Sequence, residues 1–292
     1  MLHVAAMEEI ASPLQPVSAI GPGRLAVGPG AEMPYFSTGA GLAGDVQVAR
    51  AVLVLHGRQR NAGDYLAAMA ACVPDGTLVI APQFLNDIDA RGWALPRSLL
   101  RWAGSDWMGG APAAAPSAIS AFAVLDAFIA HLTDHASFPV LEDILIAGHS
   151  GGGQVAQRYA VLTGADEGCR YLIANPSSYL YFDDAIDWKF GLRHRPAYAR
   201  EVSAAALEQR YTRRDVTYAL GLADCDPAHP ALDRTPPAMA QGPHRLARGR
   251  AYVEYLTTRH PAGLRHRLVE IPRVGHDPAG IFAYPGLLYP AT

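Results

Sequence analysis

The chain has 292 residues, half of them hydrophobic and only 17% charged, with a formal net charge of -3. That is enough apolar chain for a sizeable core in one large α/β domain. No apolar run approaches the roughly 20 residues of a membrane helix, and no Lys/Arg block supplies the clustered positive field that nucleic acid or anionic lipid would want. Met1–Ile20 lacks a basic region followed by a continuous apolar stretch, so a cytoplasmic protein without membrane insertion or a nucleic-acid partner is expected. The basic residues of 192–214 and 245–250 are interrupted by acids and apolar residues and read as solvated faces.

Up to about Arg50 the chain is rich in Gly, Pro and Ala, with short extended candidates at Arg24–Val27 and Tyr35–Ser37. Ala51–Leu55 is a continuous β-rich run, as expected of a strand buried on both faces of a parallel sheet, and it delivers His56-Gly57-Arg58 at its end. Residues 62–73 carry apolar side chains at helical spacing and stop at Pro74-Asp75-Gly76, after which Thr77–Ala81 reads as the next strand. Gln83–Pro116 is a long irregular region with three tryptophans, a length that in a compact domain suggests one wall of a pocket.

Residues 117–133 have the apolar stripe Phe122, Leu125, Ile129 and Leu132 of an amphipathic helix. Leu141–Ala147 then reads as the central strand, and Gly151–Leu162 as the helix that follows it. Cys169–Ala174 is the sixth strand, and 176–214, charged and aromatic without a strand pattern, reads as a lid or cap insertion. Val216–Leu220 resumes the sheet, 244–258 is helical, and Arg265–Ile271 is the last strand. Alternating strands and helices predict one doubly wound, mostly parallel α/β sheet over 1–292.

The chemistry gathers at strand ends. Gly148-His149-Ser150-Gly151-Gly152 is a G-x-S-x-G between a predicted buried strand and a predicted helix, the context in which a serine is exposed on a strained turn. A serine hydroxyl needs a base to take its proton, and the base needs an orienting acid. His276, in Val-Gly-His-Asp after the last strand, and Asp224, in Gly-Leu-Ala-Asp after the preceding one, supply both. Asp226 is the rival acid, and His149, as the residue before the nucleophile, is expected to point into the body. No histidine or carboxylate cluster has metal-ligand spacing, and neither a phosphate loop nor a dinucleotide fingerprint fits, so no metal and no cofactor are expected.

In the order Ser150, Asp224, His276, with His56-Gly57 after an early strand, the chain resembles the α/β-hydrolase superfamily over residues 45–285. Within it the chain is similar to serine esterases and polyester depolymerases. The resemblance implies a carboxylesterase reaction on a small-molecule ester, with Gly151 and Arg58 supplying the oxyanion-hole amides. The His-Gly-Gly-Gly pattern of lipases is absent, so Gly57 and Gln59 stay open as neighbours of the second donor. Amide, thioester or carbon–carbon cleavage by the same triad, and a non-catalytic binding scaffold, are the alternatives. Trp107, Tyr179 and Tyr181 are expected to line the substrate pocket.

Overall fold

The computed structural model describes residues 14–165 and 168–289. Most of the N-terminal stretch read above for a leader lies outside them. An antiparallel hairpin of β1 (Gly23–Gly28) and β2 (Ala31–Ser37) leads to β3 (Arg50–Leu55), α1 (Ala62–Ala70) and β4 (Thr77–Pro82). A two-residue parallel pairing of β5 (Leu85–Asn86) with β6 (Arg101–Trp102) brackets α2 (Asp87–Trp93). Next come α3 (Ala121–Leu132), β7 (Asp143–His149), α4 (Gly151–Leu162) and β8 (Arg170–Ala174). The chain ends with α5 (Ala204–Thr212), β9 (Asp215–Gly221), α6 (Pro236–Met239), α7 (Arg245–Arg259), β10 (His266–Ile271) and α8 (Pro278–Phe282).

Eight strands form one sheet in the order β1-β2-β4-β3-β7-β8-β9-β10. β2 pairs antiparallel with β1 and β4, and every pairing from β4 to β10 is parallel. The chain winds outward from β3 in one direction to β4, then crosses to β7 and continues the other way. The reversal falls between β3 and β7, where an open α/β sheet forms its ligand crevice.

Alternation along the strands builds two cores. Leu53, Leu55, Ile144, Ile146 and Ile173 face a cluster shared with α3, α4 and α7. Val52, Val54, Leu145, Ala147 and Leu172 face the opposite cluster, which takes Tyr65 and Met69 of α1 and Ile281 and Phe282 of α8. Both faces are covered, which is why these strands read as unbroken apolar runs rather than as alternating ones.

The region 83–116 is more ordered than its sequence suggests. Asn86 caps α2 in a reciprocal box with Asp89, and Trp102 and Trp107 are fully buried, each large apolar side chain worth roughly 1.5–3 kcal/mol on burial. Packing of these indoles fixes the stretch against the body, and its Ser105 and Met108 still line the cavity over Ser150. Residues 176–214 likewise bury Tyr179, Leu180, Leu192, Leu207 and Tyr211 in the larger core.

Candidate active site

Ser150 occupies the sharp turn between β7 and α4 with φ 57° and ψ -119°, a conformation costing a side-chain-bearing residue roughly 1–3 kcal/mol. Close packing holds it there. A Cβ on Gly152 would lie 2.0 Å from the Leu55 carbonyl oxygen, and one on Gly148 would lie 2.1 Å from that of Gly152. The glycines therefore let α4 start against the ends of β3 and β7, and the Ser150 amide donates to Ala174 O at 3.0 Å.

From this turn an unbroken hydrogen-bond chain runs through three strand ends. His276 Nε2 is 2.9 Å from Ser150 Oγ, and His276 Nδ1 is 2.7 Å from Asp224 Oδ2. An ionised carboxylate only accepts, so Nδ1 carries the proton and Nε2 turns its lone pair to the serine hydroxyl. Asp224 Oδ1 accepts from Arg245 Nη1 at 3.1 Å. Burial pushes the Asp224 carboxyl up, but the His276 hydrogen bond and the Arg245 charge outweigh it and hold the pKa below the ordinary value. Burial, opposed by the Asp224 hydrogen bond and assisted by Arg245, lowers His276 below 6.5. Asp226, the rival acid, is exposed and accepts the Ala228 amide at 2.8 Å.

Gly151 and Arg58 also come together. A Cβ built on Gly151 would lie 3.1 Å from the Arg58 backbone nitrogen and 3.4 Å from the Gly57 carbonyl carbon, so the backbone of the β3 loop passes directly beside the residue after Ser150. His56 fixes that loop: Nδ1–H donates to Gly57 O at 2.8 Å and Nε2 accepts from the Phe84 amide at 2.9 Å. Fully buried, its pKa is lowered to about 4, chiefly by desolvation, which keeps it neutral in both roles.

Sequence reasoning missed several supports. The Asn175 amide donates to Gly275 O at 3.1 Å and its oxygen accepts from the Gly221 amide at 2.9 Å, tying the ends of β8, β9 and β10. Its position directly after a strand end was the only available signal. Arg245 and Arg248, expected on a solvated face, are buried: Arg245 donates to Ser177 Oγ at 2.9 Å as well as to Asp224, and Arg248 to the Asp233 carbonyl at 2.8 Å. His149 is buried with its ring 4.5 Å from that of His276 and Nδ1 3.2 Å from Tyr65 Oη. Burial, then the His276 and Arg245 charges, hold it well below the ordinary histidine value, so it is neutral.

A cavity of about 980 Å³ opens over Ser150 and Gly151, walled by Arg58, Met108, Gln154 and Lys189 and by the loop Pro230–Pro236. The aromatic residues expected to line it do not. Trp107 is fully buried, stacked on Phe84 at 4.9 Å and packed edgewise on His56 at 4.7 Å. Tyr179 is fully buried against Tyr252 at 4.6 Å, and Tyr181 packs on Tyr252 and Tyr255 at 5.0 and 4.8 Å. Tertiary packing has drawn these rings into the protein, and the cavity walls are more polar than anticipated.

No family model matches the chain, and no curated protein matches it. Solved structures do. Poly(aspartic acid) hydrolase-1 from Sphingomonas sp. KT-1 is 25% identical, with a TM-score of 0.71 over 93% of this chain and 97% of its own. The poly(3-hydroxybutyrate) depolymerase LpqC from Bordetella parapertussis is 22% identical, with a TM-score of 0.67 over 88% and 83%. TT1662 from Thermus thermophilus is 16% identical, with a TM-score of 0.51 over 92% and 96%. Sheet order and these neighbours give the chain the α/β-hydrolase fold. Two of these three are named for the breakdown of a polymer, poly(aspartic acid) in one and poly(3-hydroxybutyrate) in the other. No helix among the described residues is long and apolar enough to cross a membrane.

Proposed function

We propose that the protein is a serine hydrolase that cleaves a carboxylic ester through an acyl-enzyme intermediate. The hydrogen-bond chain Ser150–His276–Asp224 carries this reading. Ser150 Oγ attacks the carbonyl carbon as His276 Nε2 takes its proton, and the resulting imidazolium is held by Asp224. Collapse of the tetrahedral intermediate expels the alcohol, protonated by His276. Water, deprotonated by the same imidazole, then attacks the acyl-enzyme and frees the acid and Ser150. The amides of Gly151 and Arg58 receive the oxyanion, each worth roughly 100 to 1,000-fold in turnover.

A second reading keeps these residues and changes the bond to an amide. It is favoured by the likeness to a protein named for poly(aspartic acid) hydrolysis, a polymer joined by amide bonds. Hydrolysis of short p-nitrophenyl esters and anilides, with mass-spectrometric detection of a serine-directed phosphonate, tests both. Turnover with label on Ser150 is expected; a folded protein that neither turns over nor labels there is no serine hydrolase. Faster cleavage of the anilides would move the assignment to the amide bond.

A further inference from the structure

The cavity over Ser150 carries positive charge that the hydrolytic step itself does not use. Arg58 and Lys189 both line it. The Arg58 guanidinium makes no hydrogen bond or ion pair with a described residue. Lys189 has no carboxylate at ion-pair distance among the described residues, and its ammonium stands 5.8 Å from the Phe190 ring. Burial, with Arg158 nearby, lowers its pKa from the ordinary lysine value.

Behind this wall Arg158 is fully buried and meets only neutral acceptors. It donates to Met108 O at 2.7 Å, Gln154 Oε1 at 3.0 Å, Ser178 Oγ at 3.1 Å and Lys189 O at 3.3 Å. Those bonds occupy four of its five N–H donors with neutral oxygens and leave its charge without an adjacent counter-ion. Two acids oppose these cations: Asp233 on the cavity wall and Asp106, which follows the wall residue Ser105. Both are felt at Lys189, and Asp233 also at Arg158, which leaves three cations, Arg58, Lys189 and Arg158, against two carboxylates. A partly desolvated cluster with surplus cations is costly unless an anion completes it, and the fork of a guanidinium matches a carboxylate.

We infer that the cavity selects substrates carrying a carboxylate away from the scissile bond, gripped by Arg58 and Lys189, with Arg158 adding charge from behind. This rests on the hydrolase reading of Ser150 and names the substrate class for it. A neutral substrate of the same length would leave both side chains facing only water.

The test is a matched pair: p-nitrophenyl hydrogen adipate and its methyl ester, which differ in the methyl that caps the charge. The acid is expected to have a kcat/KM at least roughly tenfold above the capped ester at low salt, the worth of one charge-assisted hydrogen bond. The ratio should shrink as added salt shortens the screening length to about 10 Å at 0.1 M. Lys189→Met and Arg58→Met should each lower it towards one, by roughly threefold if the two share a tenfold preference equally, and Lys189→Arg should keep most of it. A wild-type ratio at or below one overturns the inference, as does a ratio that neither substitution lowers. If a variant does not fold, the salt titration of the wild type still decides. Turnover and Ser150 labelling without charge preference would sink this inference alone, whereas absence of both would sink the hydrolase reading and this one with it.

Discussion

Arg245 and Asp224 form an ion pair at 3.1 Å in which both side chains are almost entirely excluded from solvent. The pair occupies the carboxylate oxygen that His276 leaves free, so Asp224 is held from two sides. Arg245→Met would leave a buried carboxylate half-paired and Ser177 Oγ without its donor. The expected cost is about 3–5 kcal/mol, read as a fall in the urea midpoint at unchanged m-value. Arg245→Lys should recover little of it, because one ammonium replaces the fork that reaches Ser177 and Asp224 together. A loss under about 1 kcal/mol for Arg245→Met would show that the pair does not hold the acid in place.

The acid limb of activity follows from His276. The base must be neutral to accept the serine proton, and its pKa is depressed chiefly by burial. The rate should therefore hold below the usual midpoint of about 6.5 and fall only at lower pH. Arg245→Gln removes one of the causes of that depression and should move the limb upward. A limb above 7 in the wild type, with chemistry limiting, would contradict a depressed base.

Stability has its own pH dependence. His56 and His266 both have pKa values lowered to about 4 by burial, against about 6.5 in an unfolded chain. As pH falls from 6.5 to 4 the unfolded state takes up protons at these two side chains that the folded state refuses. The stability they contribute is complete above the unfolded pKa and is lost as pH falls through the folded one. The urea midpoint should accordingly drop between pH 6.5 and 4, and less steeply in His266→Gln. A midpoint constant over that window would mean these rings are not buried neutral.

The sheet was legible because its strands are buried on both faces and announce themselves as short apolar runs; Ala51–Leu55 and Cys169–Ala174 fall within a residue of β3 and β8. Ser150, Asp224 and His276 were legible because each follows such a run directly. Arg158 and Arg245 were not: the helices α4 and α7 give no sequence sign that a charged position faces inward, and i, i+3 arginines usually make surface pairs. The Pro230–Pro236 wall was also hidden, since its place over Ser150 depends on how the β9–α7 connection returns across the sheet edge. The aromatics misled for a related reason. A tyrosine in a loop reads as accessible, whereas Tyr179 is drawn into a stack with Tyr252 at 4.6 Å.

The turn at Ser150 separates chemistry from strain. Ser150→Ala and Ser150→Gly both remove the hydroxyl, and both should reduce kcat by roughly 10⁴-fold or more. They should differ in stability. Alanine keeps a Cβ at φ 57°, whereas glycine accepts that conformation freely. Ser150→Gly should therefore unfold at higher urea than Ser150→Ala, by about 1 kcal/mol once the entropy of the glycine is allowed for. The opposite order would show that the turn is not strained.

The two candidate acids give the sharpest comparison. Asp224→Asn keeps the shape of the side chain but presents either a neutral oxygen or an amide donor to His276 Nδ1. In the second case Nε2 keeps the proton and has no lone pair for the Ser150 hydroxyl. A fall in kcat of roughly 10⁴-fold is expected, the size of this exchange in an unrelated triad enzyme. Asp226→Asn changes an exposed residue whose carboxylate accepts the Ala228 amide at 2.8 Å, a bond that asparagine can also accept, so kcat should stay within about twofold. Parallel kcat measurements at pH 8 decide between them, because His276 is then neutral in the wild type and only its tautomer is at issue. A large loss at Asp226 with a small one at Asp224 would reverse the assignment of the orienting acid.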